Sequence, residues 1–164
     1  MTKASTRLVL AFISMGIGRH VPAPGTAGSL LALCLAWCIP DRHFYPALFF
    51  LLFCLIPLSI IAIRHHLVRN PDLKDPGYIV IDECIGMWIA LLISPLGFTW
   101  QTIAFVLFRF FDIQKPGIIG HVDGLSSHDP LRHSILIIAD DILAGILAGG
   151  LTTLINILYI YWTL

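Results

Sequence analysis

The stretch Asp75–Phe98, DPGYIVIDECIGMWIALLISPLGF, decides the fold. From Ile79 onward it is apolar enough for a membrane helix, yet Asp82 and Glu83 stand side by side within it. Adjacent residues on a helix point about 100° apart, so the two carboxylates cannot both face lipid. Either they face a protein interior, or one caps a helix that starts near residue 82 while the other meets lipid headgroups. The same question returns at Asp140 and Asp141, inside the long apolar stretch Ile135–Leu164. Even lenient insertion scales charge about 2.5–3.5 kcal/mol for one aspartate near the centre of a membrane helix. A pair is not kept there without a purpose.

The rest of the chain sets the solvent. Its 164 residues are 57% hydrophobic and only 12% charged, against roughly 25% charged in an ordinary soluble domain. An integral membrane protein is expected, built as a single domain over residues 1–164. Net charge is zero and no basic run occurs, so nucleic acid is not an expected partner. Cys34, Cys38, Cys54 and Cys84 form no C-x-x-C pair and read as small buried hydrophobes. Met1–Gly18 holds only a modest apolar run with no small-residue cleavage site after it, so no signal peptide is expected. The seven histidines lack zinc-helix spacing. His20 is the one to watch, because its loop carries candidate phosphate-binding hydroxyls.

Phe44–Ile63 is twenty residues without a charge, and a membrane-spanning helix needs about 20. Ala27–Ile39 is a shorter apolar run. Ile79–Phe111 is broken by SPLG at Ser94–Gly97, which marks the turn of a helical hairpin. With Ile135–Leu164 this makes an all-α polytopic membrane bundle of four to five spans. Threaded with Met1 inside, every Lys and Arg except Arg42 falls on the inner side, which sets the orientation. Every acid except Asp41 falls there too, an excess that the positive-inside rule does not explain.

Four polar clusters converge on that inner edge. In Gly16–Leu30, GIGRHVPAPGTAGSL, Thr26 and Ser29 stand where a helix begins, either as ordinary caps or as part of an anion site. Asp75–Gly86 brings Asp82 and Glu83, with Gly86 one turn on to let another backbone or a ligand come close. Phe108–Pro116, FRFFDIQKP, puts Arg109 and Asp112 on one helix face, followed by Lys115 before the helix-stopping Pro116. An interfacial salt bridge with a snorkelling lysine is the alternative there. Ile137–Gly150 brings Asp140 and Asp141, with Gly145 and Gly149 continuing a small-residue stripe suited to close helix packing.

Clustered carboxylates repel unless a cation binds. Asp82, Glu83, Asp112, Asp140 and Asp141 are therefore a candidate Mg²⁺ site, though not all five can be direct ligands. Arg109, Lys115, Thr26 and Ser29 are candidates to hold a phosphate, and the catalytic set is drawn from Asp82, Glu83, Asp112 and Asp141. Metal, acids and basic groups together suit phosphoryl transfer or hydrolysis. A site at the inner membrane surface suits a phospholipid substrate. No C-x5-R or D-x-D-x-T signature for a covalent phosphoenzyme is present.

The segments APGTAGSL, DPGYIVIDECIGMWIA, FVLFRFFDIQKPGII and DDILAGILAG resemble, in order, the signature segments of the phosphatidylglycerophosphatase A family. The resemblance covers about Gly16–Gly150 and implies an all-helical bundle. It also implies Mg²⁺-dependent removal of the terminal phosphate of phosphatidylglycerophosphate at the cytoplasmic face of the bacterial inner membrane. Gly120–Ile137, GHVDGLSSHDPLRHSILI, departs from the family's pattern. A cation transporter is the reading from another class. It accounts for the acids but poorly for Arg109 and Lys115, and the chain has no internal repeat. The motif of the CDP-alcohol phosphotransferases is absent.

Overall fold

The computed structural model describes residues 3–18, 21–71 and 76–163, and among these every regular element is helical. The helices are α1 (Lys3–Ile13), α2 (Pro24–Trp37), α3 (Phe44–Arg69), α4 (Ile81–Ile93), α5 (Phe98–Gln114), α6 (Ile118–Asp123) and α7 (Pro130–Thr163). A 3-10 turn at Asp41–His43 leads into α3. The all-α expectation holds, and the apolar stretches of the sequence form α2, α3, α4, α5 and α7. The short helices α1 and α6 have no counterpart in the sequence reading. His20 lies outside the described residues.

The boundaries have local causes. Pro24 opens α2, where its missing N–H costs nothing. Gly97, at φ 122, lets the chain reverse from the hairpin turn into α5. α5 ends on Lys115 in the left-handed conformation, and Pro116 prevents any continuation. Asp129 caps α7, its carboxylate accepting the N–H groups of Leu131 and Arg132 at 3.3 and 3.2 Å. α3 runs past Ile63 to Arg69, because the edge of the apolar run does not end a helix whose hydrogen bonds can continue in water.

α4 lies at the centre, packed by α2, α3, α5 and α7. Its approach to α7 is backbone on backbone. A Cβ on Gly145 would overlap the Gly86 carbonyl oxygen, and one on Gly149 would fall 2.7 Å from the Ala90 oxygen. Bare glycine is what membrane helices use to come this close. On its other side α4 meets α2, where the Trp88 indole donates to the Ala32 oxygen at 2.8 Å and the Cys84 thiol to the Gly28 oxygen at 3.3 Å.

The outside is apolar as well. Phe49, Phe50 and Phe53 of α3, Val106 and Phe110 of α5, and Leu154 and Ile157 of α7 are all exposed. Patches of this extent mark a membrane or a partner surface. Asp41–Arg69 and α7 are long and apolar enough to cross a bilayer. α2, α4 and α5, at 14, 13 and 17 residues, are shorter than that. The cysteine expectation needs correcting. Only Cys84 is buried, while Cys34, Cys38 and Cys54 are exposed. In a bundle whose outer face is itself apolar, apolar neighbours in sequence do not predict burial.

The two ends of the bundle differ. At one end Trp37 donates to Gln101 at 2.8 Å, Tyr45 to the Ser94 oxygen at 3.0 Å and Thr153 to the Ile93 oxygen at 2.7 Å. These bonds draw together the end of α2, the start of α3, the hairpin turn and α7. At the other end meet the starts of α2 and α4, the end of α5 and the first third of α7. Asp82, Glu83, Asp112, Asp140 and Asp141 are there.

Candidate active site

The loop before α4 is fixed by the bond from the Val80 N–H to the Ile13 oxygen, 2.9 Å, so α4 starts at a set height. Its first turn carries Asp82 and Glu83, and Asp82 Oδ1 accepts the Glu83 N–H at 3.1 Å. Neither acid caps α4, whose N-cap is Val80 with no side-chain bond; Asp82 sits inside the first turn and Glu83 faces protein rather than headgroups. Asp141 arrives from α7 beside Gly86. Asp82, Glu83 and Asp141 each offer a carboxylate oxygen, and the three oxygens lie within 4.8 Å of one another. Glu83 Oε2 and Asp141 Oδ1 are buried and have no hydrogen-bond partner among the described residues.

Arg109 closes the next side. Its Nη1 pairs with Asp112 Oδ2 at 2.6 Å and donates to Ser29 Oγ at 3.2 Å. Ser29 in turn donates to the Gly25 oxygen at 2.7 Å, which ties the guanidinium to the first turn of α2. Arg109 Nε is buried without a partner among the described residues. Gly25 lies between the two groups: a Cβ there would fall 2.5 Å from Glu83 Oε1 and 3.2 Å from Arg109 Nη2. Thr26 is exposed on the same turn.

The remaining predicted residues form an adjoining cluster. Lys115 Nζ binds Asp140 Oδ2 at 2.7 Å and also Asp123. Burial works against the charge on Lys115, but the two carboxylates outweigh it and hold its pKa above the usual lysine value. Asp140 and Asp141 thus serve different neighbours, as their 100° separation on the helix demands. The structure brings together Asp82, Glu83, Asp141, Arg109, Asp112 and Ser29, and gives Asp140 to Lys115. Asp123 and Gly25 escape the sequence reading. The one signal for Asp123 is Gly120, whose hydrogen faces the Lys115 carbonyl, so that α6 can pack tightly under the end of α5.

Three carboxylates this close, two with unpartnered buried oxygens, fit a hard divalent cation such as Mg²⁺ better than they fit one another. Asp112 and Asp140 already have cationic partners.

Comparison with known proteins places the chain among the phosphoric monoester hydrolases. Residues 10–156 match the family described as phosphatidylglycerophosphatase A, and the chain belongs to that family. A Haemophilus influenzae protein named phosphatidylglycerophosphatase A is 36% identical over 146 residues, covering 85% of this chain and 82% of the relative. The Escherichia coli protein of the same name is 33% identical over 152 residues, covering 91% and 83%. A Bacteroides thetaiotaomicron protein, named provisionally as a phosphatidylinositol-3-phosphatase, is 32% identical over 155 residues, covering 89% and 91%. No solved structure matches. The transporter reading finds no support among these relatives.

Proposed function

We propose that the chain is a Mg²⁺-dependent phosphatase that removes the terminal phosphate of phosphatidylglycerophosphate, leaving phosphatidylglycerol, at the cytoplasmic face of a bacterial inner membrane. The observation that carries this is the Asp82–Glu83–Asp141 triad, with its unpartnered buried oxygens next to an arginine. The names of the Haemophilus and Escherichia relatives support the substrate.

Asp82, Glu83 and Asp141 would hold the ion, which when bound lends positive charge to the phosphoryl oxygens as the transition state forms. Arg109 grips the phosphate, and its unpartnered Nε is a ready donor. Asp112 and Ser29 keep the guanidinium in place. The open first turn of α2 adds N–H groups and the Thr26 hydroxyl. A carboxylate of the cluster takes a proton from the attacking water. As the new P–O bond forms, the ester P–O bond breaks, and the departing glycerol oxygen takes a proton from solvent water, to which the carboxylate then returns the one it accepted. Lys115 holds Asp140 and Asp123 and so fixes α6 beside the site.

The depth of the site favours a lipid substrate. At 1.5 Å per residue the 34 residues of α7 run to about 51 Å, well beyond the ~30 Å of bilayer hydrocarbon. Asp140 and Asp141 lie about a third of the way along, where the helix leaves the apolar layer. In this arrangement α3 crosses beside α7, with α2, α4 and α5 packed alongside and the acids at the inner boundary.

The test is phosphate release by purified, detergent-solubilised protein, with Mg²⁺ and with EDTA. Phosphatidylglycerophosphate and phosphatidic acid serve as the two lipids. Release from the first lipid is expected with Mg²⁺ only, and Asp82→Asn or Asp141→Asn should lower it by on the order of 1000-fold in folded protein. Near-normal rates in both variants would rule out this metal site.

A further inference from the structure

Beside the carboxylate triad is a cavity of about 170 Å³, between the end of α6, the connection after it and the first third of α7. Asp123, Ser126, His133 and Asp140 form its polar wall, and Leu136 and Ile137 line it with apolar surface. The walls are held in place. The Ser127 hydroxyl accepts the Asp129 N–H at 3.2 Å, and the Ser127 N–H reaches His133 Nδ1 at 3.5 Å. Asp140 of the cavity wall is the immediate chain neighbour of Asp141 of the triad.

The chemistry of the wall selects its occupant. A water takes about 30 Å³ in the liquid, so the cavity admits a group of several heavy atoms. Asp123 and Asp140 share the single ammonium of Lys115, which leaves the wall acidic. It disfavours phosphate and carboxylate and accepts hydroxyl donors. Ser126 and His133 add groups that can donate or accept. The apolar side suits carbon. The matching ligand is a short, uncharged carbon chain bearing a hydroxyl.

We propose that this cavity reads the headgroup linker of the lipid substrate: the glycerol unit between the phosphate that is removed and the phosphate that stays. The proposal rests on the function given above and adds the origin of headgroup choice. Ser126 and His133 are then specificity-determining residues, outside the groups that hold metal or phosphate.

The test compares phosphatidylglycerophosphate with a synthetic analogue whose linker is propanediol, lacking the free hydroxyl, in detergent micelles with Mg²⁺. The wild type should prefer the natural lipid in kcat/KM by roughly tenfold, the worth of one good hydrogen bond. Ser126→Ala should lower turnover of the natural lipid several-fold and leave the analogue unchanged. His133→Leu, which keeps bulk but removes the polar ring atoms, should do the same. A merely structural role would lower both lipids equally, and that result would overturn the proposal, as would equal rates in all three proteins. A wild type that hydrolyses both lipids alike removes the subsite and leaves the phosphatase function standing. A wild type that hydrolyses neither removes both.

Discussion

Gly25 shows how closely single residues set this site. The space beside it is taken up by Glu83 Oε1 and the Arg109 guanidinium, not by backbone. Gly25→Ala therefore meets the movable ends of two side chains that the chemistry needs in place. The fold should survive, with a melting temperature close to wild type. The phosphatase rate should drop by on the order of 100-fold, the usual result of moving a catalytic group by about 1 Å. Thermal unfolding in detergent alongside phosphate release separates the two effects. A variant that melts early, or one that keeps full activity, would show that Gly25 does not shape the pocket. At this scale the sequence is legible where charge is costly. Asp82, Glu83, Asp141 and the Arg109–Asp112 pair announce themselves by acids in apolar surroundings and by a three-residue spacing. The bond from Arg109 to Ser29 crosses eighty positions, and local spacing carries no trace of it.

Among the elements, the α4–α7 seam bears the load of placing Asp141 against Asp82 and Glu83. Gly145 and Gly149 are readable in sequence as a packing stripe, because small residues four apart fall on one helix face. Gly86 is readable only as a residue that something must approach. In the structure that something is the α7 backbone itself. Gly145→Ala drives a methyl into the Gly86 carbonyl, where both sides are backbone and neither can yield locally. It should cost about 1–3 kcal/mol, as overpacking does, and loosen the acidic triad at the same time. Gly150→Ala is the matched control, since nothing lies within 4 Å of its added Cβ. There the better helix propensity of alanine should leave stability unchanged or raise it by up to about 1 kcal/mol. Chemical unfolding of the two variants in detergent reads the difference, and equal stabilities would mean that the seam is slack. The elements missed in the sequence are the short ones. α6 has six residues and too little apolar periodicity to announce a helix. Yet it delivers Asp123 to Lys115, so the pairing that builds the neighbouring cavity is hidden with it.

For the whole molecule, the proposed membrane crossing sets a length that two helices meet and several shorter ones do not. α4 at 13 residues measures only about 20 Å, so the hairpin of α4 and α5 can reach the far side only if α3 and α7 shield its ends or the bilayer thins around it. The hydrogen bonds from Tyr45 to Ser94 and from Thr153 to Ile93 tie the hairpin turn to the start of α3 and to α7, well away from the acids. That puts the turn at the same end of the bundle as the start of α3. Three single substitutions, each in protein whose exposed Cys34, Cys38 and Cys54 are first replaced by serine, examine this: Arg42→Cys before α3, Thr99→Cys at the exposed start of α5, and His128→Cys in the loop before α7. An impermeant maleimide applied to intact spheroplasts should label the first two, and should label the third only after lysis. If Thr99→Cys stays unreactive from both sides while the other two behave as stated, the hairpin is re-entrant and ends inside the bilayer. If His128→Cys reacts in intact spheroplasts, the bundle is inverted and the acids face outward. Outward-facing acids would contradict the cytoplasmic-face phosphatase proposed above, so the orientation measured at His128 bears on that proposal as directly as any substitution in the site.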